Sequence, residues 1–319
     1  MRNDLLTAQP PAESLDWARR QVGERARLIE VRPLLGGISH ANHALDIADE
    51  SGKVHELVLR RWVRPEWVTD DPAFSPDQET ATYGLLAGSA VPAPQLVAAD
   101  PVAHECDAPA ILITRLPGEA PRDRIAVAGL AHELASALHL VHAVDSARAR
   151  STVPPYRPYY ATTGIAVPAR TPDRELWQRA IEISMEPEPK AQSSFIHRDY
   201  HPGNTLWQGG RLVGIVDWTS ASWGPREIDL GHMRTNLVVD VGSEAADAFL
   251  ATYAIDGSEA YDSFWDVRSV VDFVSDFTAD ETRFKRLEDH LAVALGRLGR
   301  RRPPPAPPRR GGHDRRRRS

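Results

Sequence analysis

Between Phe195 and Trp207 the chain reads "FIHRDYHPGNTLW", with two histidines, an aspartate and an asparagine packed between His197 and Asn204. Thirteen positions after Asn204 comes a second carboxylate, Asp217, near the end of the apolar run "RLVGIVDW". A set of this kind could be a metal cluster, a catalytic loop or a polar turn. His197 and His201 flank Asp199 with H-x-D-x-H spacing, which would suit a metal-dependent hydrolase. Phosphoryl transfer makes different demands. It needs Mg²⁺ on the phosphates, oxygen ligands for that ion, and a carboxylate to orient the attacking hydroxyl. Asp199, Asn204 and Asp217 supply those groups. On this reading Asp199 accepts the hydroxyl proton, and Asn204, through its amide oxygen, holds Mg²⁺ with Asp217. His197 braces the loop by hydrogen bonding.

The surrounding pattern sets out how such groups would be positioned. In "SHANHALDIADESGKVHELVLRRW" two apolar runs flank the turn-like "DESGK", the signature of an antiparallel hairpin. In "SPDQETATYGLL", Ser75 as N-cap, Pro76 at the first helical position and Gln78 at the third form a capping-box signature. "PQLVAAD" and "PAILITRLPGE" read as two further strands, and Pro117 and Gly118 as a hinge. Beyond them helical periodicity dominates, with Leu130, Leu134, Leu138 and Val141 on one stripe. The run Arg211 to Trp218 reads as a short strand that delivers Asp217. The expected organisation is α+β and two-lobed: a β-rich lobe with one helix (1–116), a mainly helical lobe (117–299) and a disordered tail (300–319).

Composition narrows the classes. The chain has 319 residues, 42% of them hydrophobic, and one cysteine, Cys106, so no internal disulfide framework is available. Its polar opening lacks a signal-peptide core and its apolar stretches are all interrupted, which points to a cytoplasmic protein with no membrane span. The net charge of −6 is uneven, because nine arginines and one aspartate crowd residues 300–319. With no aromatics in that tail and an acidic body behind it, a specific nucleic-acid role is not expected.

"HRDYHPGN" together with "IVDW" resembles the signature of the aminoglycoside phosphotransferase and choline kinase-like family, which has a protein-kinase-like fold. The resemblance extends along most of the chain. It implies that "LLGGISHANHAL" covers the nucleotide phosphates, with contacts from the backbone around Gly36 and Gly37 and from Ser39. It implies that Arg60 in "LVLRRW" is the phosphate-pairing cation, that Glu79 in "ETATYGLL" is its partner, and that the base lies against the linker near Thr114 to Leu116. Arginine stands where protein kinases carry lysine, and it can grip phosphate in a bidentate way. Trp218 stands where they have phenylalanine and glycine, against a flipping switch at that point. Pro202, Gly203 and Asn204 complete the kinase-like loop, which weighs against the hydrolase reading, and Asp229 in "GPREIDLGHM" would tie the loop together.

The implied activity is transfer of the γ-phosphoryl group of ATP, or of GTP, to a hydroxyl of a small molecule such as an aminoglycoside, amino alcohol or sugar. A catalytically silent nucleotide-binding protein would keep the same fold. Residues 225–289 hold fifteen acidic residues against six basic ones. Asp272, Asp276 and Asp280 recur every four positions, opposite an apolar stripe of Val267, Val270, Val271, Val274 and Phe277. That pattern predicts one acidic helix face, either simply solvated or bordering the cleft of a cationic acceptor.

Overall fold

The computed structural model describes residues 4–35, 40–64, 74–121, 131–159, 165–254, 261–273 and 280–301. Gly36, Gly37 and Ser39, expected over the phosphates, lie outside the described residues, as do Leu130, Val274, Asp276 and Phe277.

Five strands, β1 (Arg27–Pro33), β2 (Ala41–Ala48), β3 (Val54–Arg61), β4 (Leu96–Asp100) and β5 (Ala110–Thr114), form an antiparallel sheet in the order β1-β2-β3-β5-β4. The β2–β3 hairpin turns at Asp49, whose carboxylate accepts from the backbone N–H of Ser51 and Lys53, while Gly52 takes a φ of 86°. Strand parity then sorts the two adjacent arginines. Leu57 and Leu59 face a core with Trp17 and Ala18, whereas Val58 packs on the opposite side. Arg61 therefore pairs with Asp107 at 2.6 Å, and Arg60 points across the other face.

The sheet carries more helix than the single one expected. α1 (Asp4–Thr7) and α2 (Ala12–Val22) precede it, and α2 buries Trp17 and Ala18 against Leu45, Ile47, Leu57 and Leu112. The expected helix is α3 (Pro76–Leu86), capped by the Ser75 hydroxyl, which accepts from the Gln78 N–H at 3.2 Å. The reciprocal half of the capping box does not form, because the Gln78 side chain donates to the Thr152 carbonyl instead.

The chain leaves β5 through Arg115–Glu119. At Gly118 φ is 89°, and a Cβ would lie 2.7 Å from the Trp207 carbonyl oxygen. Only glycine fits there. Glu119 exchanges both backbone hydrogen bonds with Trp207, so the expected hinge is pinned to the hairpin of β7 (Thr205–Gln208) and β8 (Arg211–Ile215). That hairpin turns on Gly209 and Gly210, both at positive φ, as a two-residue turn between twisted strands requires.

The remaining elements are mostly helical: α4 (Ala131–His142), α5 (Ser146–Thr152), α6 (Arg174–Ser184), α7 (Glu227–Asp240), α8 (Ser243–Ala254), α9 (Phe264–Phe273) and α10 (Glu281–Arg301). β6 (Ser193–Ile196) pairs with β9 (Ser222–Pro225), a pairing too short to show as a sequence pattern. One core joins the sheet to the helices, running from Ile111, Ile113 and Tyr83 through Leu134, Leu138 and Val141 to Phe195 and Trp218. A second holds Trp177, Trp265, Val267, Val270, Val271 and Leu291.

Three expectations need correction. The strand carrying Asp217 stops at Ile215, because the N–H of Val216 turns to the Asn204 carbonyl and its own carbonyl to His197. Asp272 and Asp280 do not share a helix: Asp272 sits at the end of α9, and Asp280 accepts from the Arg283 N–H at the start of α10. α10 continues through Arg301, two residues into the expected tail, and residues 302–319 lie outside the described residues.

Candidate active site

β6 delivers the loop. After buried Phe195 and Ile196 the backbone reverses at Arg198, whose φ of 68° is left-handed and costs an ordinary residue on the order of 1 kcal/mol. Asp229, at the start of α7 and fully buried, holds that reversal. Its Oδ2 accepts the His197 N–H at 2.8 Å and its Oδ1 the Arg198 N–H at 2.7 Å. His142 from α4 lies with Nε2 3.1 Å from Oδ2 and with Nδ1 2.7 Å from the Tyr253 hydroxyl. The histidines at 139 and 142 thus serve packing, His139 lying 3.1 Å from the Tyr253 carbonyl. The Arg198 guanidinium sits 4.0 Å over the Tyr159 ring.

His197 donates from Nε2 to the Val216 carbonyl at 3.0 Å, and its ring lies 4.5 Å from Trp218. That bond commits it to bracing the turn before Asp217. Among the described residues no group of three or more His, Cys, Asp or Glu could hold a metal ion. His201 also serves the loop, with Nδ1 accepting the Gly203 N–H at 3.1 Å.

Asp199 is held from two sides, with a third of its side chain (33%) still exposed. The Asn204 amide nitrogen donates to its Oδ2 at 2.9 Å and to its backbone carbonyl at 3.0 Å. His232 Nε2, from α7, lies 3.1 Å from Oδ1. Burial pushes the Asp199 pKa up, but His201, His232 and His197 outweigh it and hold the carboxyl well below the usual carboxylate range. The carboxylate stays charged at neutral pH, as acceptance of a proton from a hydroxyl requires.

The second cluster centres on Arg60, buried in the sheet face toward α3. Its Nε meets Glu79 Oε2 at 3.1 Å, and its Nη2 meets Asp217 Oδ1 at 2.5 Å and Thr219 Oγ1 at 2.6 Å. Thr219 Oγ1 also lies 3.1 Å from Glu79 Oε2 and 3.0 Å from Asp217 Oδ1. Two carboxylates share one guanidinium. Burial pushes the Glu79 pKa up to about 7, against the attraction of Arg60. Asp217 has a left-handed φ of 66°, and Trp218 beyond it is fully buried, with its indole N–H on the Ile215 carbonyl.

The donor set fits a hard divalent ion. The amide nitrogen of Asn204 is spent on Asp199, which leaves the amide oxygen to meet a cation. Asp217 gives Oδ1 to Arg60 and Thr219, which leaves Oδ2. Such oxygens, completed by water and phosphate oxygens, suit Mg²⁺ rather than a softer metal.

Thr114 ends β5 with its hydroxyl accepting from the Gln95 N–H, and Leu116 packs against Gly214, where an added Cβ would lie 2.7 Å from Leu116 Cδ1. Thr219 and His232 escaped the sequence reading. Only His232 left a signal, being three residues from Asp229 and so on the same helix face.

The profile of the phosphotransferase enzyme family matches residues 30–264, which includes the loop, both clusters and all of the sheet but the start of β1. The chain belongs to that family. Its members are ATP-dependent enzymes that phosphorylate hydroxyl groups of small molecules, and this chain is such a phosphotransferase with a protein-kinase-like fold. No curated protein matches the sequence. Among solved structures, it is similar to aminoglycoside 2'-phosphotransferase-IIIa in its GDP complex, with TM-score 0.60 and 19% identity over 84% of this chain and 94% of that one. It is similar to aminoglycoside phosphotransferase APH(4)-Ia in a ternary complex with AMP-PNP and hygromycin B, at TM-score 0.57 and 14% identity over 91% and 97%. Macrolide 2'-phosphotransferase MphH from Brachybacterium faecium matches at TM-score 0.55 and 19% identity over 87% and 97%. At these identities the likeness shows the fold. Among the described residues no helix is long and apolar enough to cross a membrane.

Proposed function

We propose that the protein transfers the γ-phosphoryl group of ATP, or of GTP, to a hydroxyl of a small amine-bearing acceptor of aminoglycoside, amino alcohol or sugar type. The observation that carries the reading is that the loop holding Asp199, fixed by Asn204 and His232, is tied to the turn holding Asp217, fixed by Arg60 and Thr219, through the Val216 N–H on the Asn204 carbonyl and the His197 ring on the Val216 carbonyl. The nucleotide would lie between the lobe of residues 1–116 and that of residues 117–299. Its base would lie against Thr114 to Leu116 and its phosphates beneath Gly36, Gly37 and Ser39.

Each residue then has a task. Arg60, held by Glu79, presents its guanidinium to the phosphates. Asp199 orients the acceptor hydroxyl and takes its proton as the oxygen attacks. Asn204 and Asp217 would hold Mg²⁺, which when bound neutralises the phosphate oxygens and orients the leaving group. An amine-bearing acceptor is supported by the acidic excess of residues 225–289. Many of those carboxylates serve the fold instead. Asp266 pairs with Arg234, Asp240 with Arg283 and Asp289 with Lys285; each pair takes one acidic and one basic residue, so the acidic excess itself is unchanged.

The test is a coupled ADP- and GDP-release screen over aminoglycosides, macrolides, amino alcohols and neutral sugars. The reading expects acceptor-dependent release with at least one amine-bearing compound. Release with neutral or anionic acceptors alone would remove the amine, and release with no acceptor at all would remove the reading.

A further inference from the structure

α7 presents two side chains to the catalytic loop. Asp229 and His232 are three positions apart, so they lie one turn apart on the same helix face. The first accepts the backbone N–H groups of His197 and Arg198. The second reaches past them, with Nε2 3.1 Å from Asp199 Oδ1. Its side chain is largely buried, at 13% exposure, and its main-chain carbonyl accepts from the Asn236 amide, so helix and ring are both held.

The two Asp199 oxygens are thus held from different elements. Asn204, on the loop, donates to Oδ2, and His232, on the helix, sits against Oδ1. One contact would leave the carboxylate able to rotate about its Cβ–Cγ bond, whereas two on opposite oxygens fix its plane. The His201 ring stands 5.9 Å from that of His232, with its Nε2 3.9 Å from Oδ2.

We propose that His232 is a positioning residue for phosphoryl transfer: through an Nε2–H to Oδ1 it fixes the plane of Asp199, so that a lone pair of the carboxylate faces the acceptor hydroxyl. The inference rests on Asp199 being the proton-accepting base proposed above. His232 touches neither substrate nor nucleotide in this scheme. Removing it lowers kcat without loosening nucleotide binding.

Four forms of the full chain decide the matter: His232→Phe, which keeps a ring and removes the N–H; His232→Gln, whose amide can replace Nε2–H; Asp199→Asn; and the double variant Asp199→Asn/His232→Phe. Each is assayed for kcat with the best acceptor, for nucleotide affinity by titration calorimetry, and for Tm. His232→Phe is expected to lose about tenfold or more in kcat, the scale on which small misplacements of a reacting group act. Its nucleotide affinity stays unchanged and His232→Gln recovers most of the loss. Because His232 acts through Asp199, adding His232→Phe to Asp199→Asn costs less than about a further twofold.

A His232→Phe protein with wild-type kcat overturns the inference. So does a kcat loss that glutamine does not recover and that multiplies fully with Asp199→Asn. Wild-type protein that phosphorylates no acceptor overturns the functional reading, and this inference with it; that outcome is recognised before any variant is compared.

Discussion

Asp229→Ala removes a carboxylate that makes no contact with substrate in this account yet holds the catalytic loop. Two buried backbone N–H groups, at 2.8 and 2.7 Å, lose a charged acceptor, and His142 keeps Tyr253 but loses its contact with the carboxylate. Hydrogen bonds to charged groups contribute about 1.5–3 kcal/mol each, and buried donors left unpaired pay their full desolvation cost. Partial relaxation and water entry reduce the sum, giving a loss of roughly 3–5 kcal/mol. At about 2 °C per kcal/mol, the low end for a chain of this size, Tm falls by roughly 6–10 °C. Arg198 adds a specific consequence. Its left-handed backbone at φ 68° is kept by one of those bonds, so it relaxes once the acceptor is gone and Asp199 moves with it. Calorimetry gives the stability change, and amide hydrogen exchange at His197 and Arg198 gives the local one. A Tm within about 2 °C of wild type, protected amides at both positions and normal turnover would refute the reasoning.

Three further outcomes are expected. Asp217→Ala abolishes Mg²⁺-dependent nucleotide binding or turnover, since the proposed site loses its carboxylate donor and Arg60 one of its two carboxylates; EDTA-insensitive turnover by the wild type would contradict the assignment. Glu79 has a folded-state pKa raised to about 7. The native state therefore holds the proton more tightly than the unfolded chain, and the stability from this group is present at low pH and lost as pH rises through about 7. Glu79→Gln flattens that part of the pH dependence of denaturant unfolding, and an unchanged profile would exclude Glu79 as its source. With an amine-bearing acceptor, kcat/KM falls as ionic strength rises while kcat stays nearly constant, and salt-independent kinetics would remove electrostatic steering.

Much of the site could be read from the sequence because its chemistry is local. Asn204 is bonded to Asp199 five positions before it, and Asp217 follows just beyond the adjoining hairpin, next to Val216, whose N–H meets the Asn204 carbonyl. The resemblance singles out Arg60 over Arg61, and strand parity supplies the physical reason once the face of β3 that meets α3 is known. What stayed hidden depends on partners far along the chain. Thr219 gains its place from Glu79, 140 positions away, and His142 from Asp229, 87 positions away. A lone threonine or histidine carries no periodicity that would announce such a partner. α2 escaped notice because its buried residues, Ser14, Trp17 and Ala18, are few and lie between Pro11 and Gly23. The acidic stripe failed for the opposite reason. Its four-residue spacing was real, but Asp280 caps the start of α10, and a capping aspartate at helical spacing looks the same in sequence as a continued helix.

The central claim, that Asp199 orients the acceptor hydroxyl and takes its proton, is tested most directly by Asp199→Asn. Nucleotide affinity and acceptor-dependent ADP release are measured side by side on the same folded protein. The account predicts nucleotide affinity close to wild type and kcat lower by about 10²-fold or more, because the substitution removes the base and no phosphate contact. Wild-type turnover in that variant, or loss of nucleotide binding in proportion to the loss of turnover, would contradict it.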